Sequence, residues 1–204
     1  MAHILIFAKP PINGKVKTRL IADLGESVAT EIYRYCLAYT LDLVFQSGFD
    51  YRIWLTEESN DPIFQQQPYS IQQGPDLGFR MLQAIGSQLR QQKSGIPRVI
   101  LIGSDCLDMN TDHLQQASAA LNDNDIVLLP TLDGGYALIA CRKIEAQLFT
   151  GVKWGSSSVF EQTLNNARGL DYRVSILETV RDIDTLQDVN HYAELKSLVA
   201  SNAI

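Results

Sequence analysis

Arg98-Val-Ile-Leu-Ile-Gly103, running straight into Ser104-Asp105-Cys106-Leu107-Asp108, is the stretch on which the fold turns. Its unbroken apolar run, with no alternation, reads as an interior strand covered on both faces. A glycine ends it, and polar side chains follow at once. His3 to Ala8 repeats the pattern, passing into a loop at Lys9-Pro10-Pro11. Ile126 to Pro130 repeats it again, leading to Asp133-Gly134-Gly135-Tyr136. Between these strands lie helical periodicities. In Gly25 to Gln46, Ile32, Cys36, Tyr39 and Leu43 share one face. Leu77 to Gln92 reads as a second helix. A third begins at Asn110 or Thr111, either of which can cap it. Further strands are expected at Tyr51 to Thr56, Tyr69 to Gln73, Tyr136 to Cys141 and Tyr172 to Leu177. Two last helices are expected near Ser157 to Asn166 and Thr185 to Ser201. Residues 57–68 read as a polar surface loop.

This alternation predicts an α/β fold: three layers, α/β/α, around a mixed, mostly parallel sheet. The pair of strands joined by the Asp133 turn supplies the reversed member. With no repeats, low-complexity tracts or long linkers, residues 1–204 read as a single domain.

Composition limits the partner classes. The 204 residues carry 23 acidic and 17 basic side chains, a formal net charge of −6. That balance gives no reason to expect nucleic acid or an anionic membrane as partner. No apolar run approaches the ~20 residues that cross a bilayer, and the first residues lack the form of a signal peptide. A cytoplasmic protein is expected. Cys36, Cys106 and Cys141 are widely spaced and form no CxxC pair, so they read as buried, reduced core thiols. His3, His113 and His191 make neither a catalytic triad nor zinc spacing.

In open α/β sheets, ligands gather at the carboxyl ends of the strands, which directs attention to the polar residues following each apolar run. The first loop places Lys9, Lys15, Lys17 and Arg19 close together, with Gly14 giving the backbone room to turn. Either these cations fan into solvent or they surround an anion, for which phosphate is the natural choice. The order of residues is neither a Walker loop nor a dinucleotide fingerprint. Asp105, directly after a buried strand, suits a hard divalent cation or a turn cap; Asp108 fits the cap better. Asp133 to Tyr136 is either a plain hairpin turn or a place where backbone and a tyrosine meet a ligand. Asp184 or Thr185 can cap the last helix. Trp154, in a glycine- and serine-rich loop, is a candidate for stacking on a ligand.

Six segments in order carry a more specific signal: FAKPPINGKVKTRL (Phe7–Leu20), QGPDLGFRM (Gln73–Met81), IGSDCLDM (Ile102–Met109), PTLDGGYALI (Pro130–Ile139), LFTGVKW (Leu148–Trp154) and RDIDTLQDV (Arg181–Val189). Together they resemble the DUF2064 group of small bacterial glycosyltransferase-A-like proteins, which has the nucleotide-diphospho-sugar transferase fold. The resemblance implies donor phosphates at Lys9, Lys15, Lys17 and Arg19, with Asp76, Gly78 and Arg80 on the nucleotide side. It makes Asp105 the metal-binding aspartate for Mg²⁺ or Mn²⁺, with Asp184 a second metal or pocket carboxylate. Gly134, Gly135, Tyr136 and Trp154 fall on the sugar or acceptor side. The sequence departs from the group at Asn13 and Leu107, where proline is common, and at Ala137, where an aromatic is usual. The implied activity is metal-dependent glycosyl transfer from a nucleotide-sugar donor to a small-molecule acceptor, with Asp105 and Asp133 catalytic and Asp133 as the base. The alternatives are a nucleotidyltransferase of the same fold and a non-catalytic nucleotide-binding protein.

Overall fold

A computed structural model describes residues 2–92, 95 and 97–202. Its strands are β1 (His3–Ala8), β2 (Asp50–Leu55), β3 (Tyr69–Ile71), β4 (Val99–Ile102), β5 (Ile126–Pro130), β6 (Tyr136–Cys141) and β7 (Val174–Ile176). They form one seven-stranded sheet in the order β3-β2-β1-β4-β6-β5-β7. Only β6 runs against its neighbours, β4 and β5; every other pairing is parallel. The expected mixed, mostly parallel sheet is what forms.

The helices are α1 (Thr18–Ser47), α2 (Leu77–Gln91), α3 (Thr111–Ala120), α4 (Val159–Gly169), α5 (Leu186–Val189) and α6 (Ala193–Ser201). Alternate side chains of β1 divide between two cores. Ile4, Ile6 and Ala8 join Leu37 and Val44 of α1 and Leu114 and Ala117 of α3. Leu5 and Phe7 join Met81, Ala84 and Ile85 of α2 and Ala167 of α4. A strand buried on both faces can have no polar side, which is why β4 and β5 are apolar throughout and β1 is apolar after His3. The three cysteines are buried and unpaired, and burial pushes the Cys36 and Cys106 thiols up to about 12. Among the described residues, no helix is long and apolar enough to cross a membrane.

Some boundaries depart from the sequence reading. α1 begins at Thr18 rather than Gly25, and Gly25 (φ 77°, ψ 164°) is a break inside it. The expected last helix splits into α5, which opens on a capping box between Thr185 and Asp188, and α6, because the chain turns extended at Tyr192 (φ −105°, ψ 125°) between them. Asn110 caps α3, as one of the two expected candidates. The segment 57–68 is more than a surface loop. Asp61 accepts both Nη groups of Arg34 at 2.9 Å, and Phe64 is buried beneath it.

Asp125 ties down the amino edge of β5, away from the strand ends that carry ligands in such folds. It is 5% exposed, accepts Arg142 Nε and Nη2 at 2.9 and 2.7 Å, and accepts the Arg173 backbone N–H at 2.8 Å. Burial opposes its charge, but these donors outweigh burial and hold the carboxyl below its usual range. Its stabilising effect is therefore present above pH ~4 and is lost as acid titrates the folded carboxylate. Asp125→Ala is expected to cost about 3 kcal/mol in urea unfolding at pH 7, with the difference from the parent protein shrinking as pH falls through the lowered Asp125 titration.

Candidate functional site

The carboxyl ends of β1 and β4 open into a cleft of about 530 Å³. Phe7 and Ala8 contribute from β1, Gly103 to Asp105 from the end of β4, Thr56 and Gln72 from the β2–β3 side, and Leu77 and Arg80 from α2. Lys9, Lys17, Arg19 and Asp184 also line it, with Val16, Thr18 and Tyr33. The loop after β1 is fixed by Tyr33 of α1: its hydroxyl accepts the Lys9 N–H (2.7 Å), donates to the Lys9 carbonyl (3.0 Å) and lies 3.2 Å from Ser104 Oγ. One phenol thus binds the ends of β1 and β4 together. Nothing in the local sequence around Tyr33 marked it for this; its partners lie 24 and 71 residues away.

Lys17 occupies the centre. It adopts left-handed backbone angles (φ 44°, ψ 43°) as the residue that caps α1, an arrangement that costs a non-glycine residue about 1 kcal/mol. Its side chain is 4% exposed. The ammonium donates to Asp105 Oδ2 (2.9 Å), to the Ile183 carbonyl and to Asp184 Oδ1 (3.4 Å). Burial opposes the charge, yet Asp105 and Asp184 outweigh it and hold Lys17 above the usual lysine range. Arg19, by contrast, is 59% exposed and reaches Asp184 Oδ2 at 2.6 Å.

Beside this clasp, carboxylate oxygens of Asp133, Asp182 and Asp184 lie within 4.8 Å of one another. Asp133 sits in the β5–β6 turn, where Oδ1 accepts Thr131 Oγ1 (2.6 Å) and the Gly135 N–H (2.9 Å). Asp182 and Asp184 come from an extended strap that pairs with the end of β5 at Thr131 and Val180 and with the β4 loop through Ile183 N to Asp105 O (2.9 Å). Successive side chains of an extended strand alternate, so Ile183 is buried while the flanking aspartates share the other side. Burial first, then the charges of Asp133, Asp105 and Asp184, push Asp182 up to about 7. Asp182 did not figure among the residues expected from sequence; the Asp-Ile-Asp alternation was the available signal.

The sequence-predicted residues therefore separate. Lys9, Lys17, Arg19, Arg80, Asp105 and Asp184 share the cleft, and Asp133 joins the acidic trio. Asp105 is engaged by Lys17 and stands outside that trio. Thr185 caps α5, leaving the Asp184 carboxylate free for the cleft. Lys15 turns to Glu57 (3.5 Å) instead of lining the cleft. Asp76 is spent as the cap of α2, accepting the Phe79 N–H at 2.9 Å. Gly78 is a packing glycine, because a Cβ there would lie 2.7 Å from the Trp154 ring and 2.9 Å from Phe149. Trp154 itself packs on Phe149, ring centroids 5.9 Å apart, within the α2–α4 core. Tyr136 also packs in that core with its hydroxyl buried. Gly134 (φ 89°) admits the Ser157 carbonyl, which would lie 2.0 Å from a Cβ. Gly135 serves Asp133 through its N–H. Gly134, Gly135, Tyr136 and Trp154 serve packing and turn geometry and do not line this cleft.

The strand order and the cleft define a protein of the nucleotide-diphospho-sugar transferase fold. Over residues 40–156 the sequence matches the family described as "Uncharacterized protein conserved in bacteria (DUF2064)". The chain belongs to that family. A solved structure of a "putative nucleotide-diphospho-sugar transferase" from Desulfovibrio desulfuricans G20 is 30% identical, with a TM-score of 0.88 over 98% of this chain and 94% of that one. Two more distant structures are alike in fold alone. The 4-diphosphocytidyl-2C-methyl-D-erythritol synthase of Anaerococcus prevotii has TM-score 0.60 and 11% identity, covering 98% of this chain and 95% of that one. CMP:2-keto-3-deoxy-manno-octonic acid synthetase, solved with CTP, has TM-score 0.56 and 9% identity, covering 98% of each chain. No curated protein matches the sequence.

The raised carboxyl of Asp182 gives a pH signature. Its protonated form is favoured by folding, so the stability it contributes is full below pH ~4 and declines up to about pH 7. In metal-free buffer, Asp182→Asn should melt several degrees above the parent protein at pH 8. That advantage should shrink steadily towards pH 4 in paired thermal melts.

Proposed function

We propose that this protein is a transferase that binds a nucleotide-sugar in the cleft and passes its sugar to a small-molecule acceptor, with a divalent cation at the acidic trio. The observation that carries the reading is the adjacency of two opposite sites. Arg19, Lys9 and Arg80 line an anion-accepting cleft, and Asp133, Asp182 and Asp184 converge beside it. Three hard oxygen donors in one place suit Mg²⁺ or Mn²⁺. Burial, then the charges of Asp133, Asp105 and Asp184, push the Asp182 carboxyl up to about 7, and a bound cation would offset that repulsion. When bound, the cation would neutralise charge on the departing diphosphate.

The remaining chemistry belongs to the chain. Arg19 can grip a phosphate through paired N–H groups, and the first turn of α1 presents backbone N–H groups at its open end. Thr56 and Gln72 stand at the β2–β3 side of the cleft, where they would meet the nucleoside. Asp133, the most exposed carboxylate of the trio, is the one an acceptor hydroxyl would reach, and it would take the proton if the transfer inverts configuration.

A second reading on the same fold is nucleotidyl transfer from a nucleoside triphosphate. The β1 loop favours the diphosphate. Pro10 and Pro11 have no N–H to donate, while the N–H groups of Lys9, Ile12 and Lys15 are spent on Tyr33, Pro10 and Ile12. Few backbone donors are left to wrap a triphosphate.

A thermal-shift screen of UDP, GDP, CDP, ADP, their sugars and the triphosphates, with and without Mn²⁺, should give a Mn²⁺-dependent shift with one diphosphate and its sugar. Asp182→Ala should lose that shift. Arg19→Gln should weaken diphosphate binding by about tenfold, the worth of one charge-assisted contact. Turnover should release a nucleoside diphosphate; release of pyrophosphate from a triphosphate would establish the second reading instead.

A further inference from the structure

The ammonium of Lys17 has three N–H donors, and three acceptors take them: Asp105, the Ile183 carbonyl and Asp184. With its side chain 4% exposed, it has nothing left to offer a phosphate while this clasp holds. Asp184 is shared. It belongs to the clasp through Oδ1 and also to the trio with Asp133 and Asp182. A cation seated at the trio and the ammonium of Lys17 therefore draw on one carboxylate.

We propose that Lys17 is a resident counter-cation: it competes with the divalent ion for Asp184 and, once it has yielded that carboxylate, turns its ammonium to the diphosphate. The proposal rests on the metal-assisted reading above. It makes Lys17 a positioning residue that couples ion binding to phosphate binding. The backbone is poised for the change, since Lys17 holds left-handed angles at the head of α1, and rotation out of them relieves strain.

The strap does not depend on Lys17 to stay in place. Ile183 N bonds to Asp105 O at 2.9 Å, Asp108 accepts the Arg181 N–H at 2.9 Å, and Leu132 N bonds to Val180 O at 3.1 Å. The carboxylates should therefore keep their positions when the ammonium is removed.

The test is Mn²⁺ titration of the whole chain, free ion being read by electron paramagnetic resonance, with and without inorganic pyrophosphate. Without pyrophosphate, Lys17→Met should bind Mn²⁺ roughly tenfold tighter than the parent protein. Pyrophosphate should tighten Mn²⁺ binding in the parent by a larger factor than in the variant. A merely structural lysine predicts the reverse, a variant that binds the ion more weakly. Equal or weaker binding by Lys17→Met overturns the proposal, as does absence of Mn²⁺ binding in both proteins. Lys17→Gln, checked by its thermal melt, replaces Lys17→Met if that variant does not fold. The nucleotide screen is independent: a nucleotide shift without the Mn²⁺ difference removes this proposal alone, and the Mn²⁺ difference without any nucleotide shift removes the transferase reading alone.

Discussion

One buried ammonium links three separate segments at the cleft edge of this molecule. Lys17 fastens the loop after β1 to the loop after β4 and to the strap before α5. These segments lie far apart in the chain, so no local propensity could bring them to one point. Burying an ammonium is costly unless carboxylates compensate, and here two do. The clasp in turn orients α1, whose break at Gly25 lets its first turns face the cleft while the remainder packs on the sheet. Tyr33 reinforces the arrangement from below, tying Lys9 to Ser104.

The sheet determines what the clasp can reach. β1, β4 and β5 run the same way, so their carboxyl ends share one edge. β6 returns antiparallel between β4 and β5, and its turn consequently lies at that same edge, with Asp133 in it. Asp133 follows the carboxyl end of β5 directly, and the pairing of Thr131 with Val180 brings it next to the strap that carries Asp182 and Asp184. At the other edge, Asp125 gathers Arg142 and the start of β7 around the beginning of β5, fixing the strand from its far end.

Much of this was legible from the apolar runs. Strands buried on both faces announce themselves, and the polar residues that follow them are the ones the fold displays. Lys9, Lys17, Arg19 and Asp105, which line the cleft, are read in that way; Asp184 reads as a helix cap, and the resemblance alone raises it to a pocket carboxylate. What the sequence did not show has a common physical cause. Gly78 and Gly134 meet Trp154 and the Ser157 carbonyl at close approach; sequence reports the need for a small residue without naming its neighbour. Trp154 and Tyr136 are amphipathic, and whether such a ring faces the core or the cleft depends on α2 and α4, whose packing no local pattern contains. Asp182 was hidden by its neighbours, since an aspartate three residues before a helix cap looks like ordinary turn chemistry. Its distinction comes only from the extended strap, which turns Asp182 and Asp184 to one side.

The charge at this edge constrains how ligands enter. Asp105, Asp133, Asp182 and Asp184 face two nearby cations, Lys17 and Arg19. Were all four carboxylates ionised, the site would be net negative, and a diphosphate would arrive against that field. The folded protein relieves part of the excess by keeping Asp182 inclined towards its protonated form, up to about pH 7. On the proposed reading, an incoming cation would remove the rest and loosen the hold of Asp184 on Arg19 and Lys17. Both basic groups would then face an anion instead of an internal carboxylate. Cation and diphosphate would consequently favour each other's binding, and linkage requires that such an effect be reciprocal. Four carboxylates set against two cations would then be less a rigid scaffold than a charge balance that substrate and ion complete.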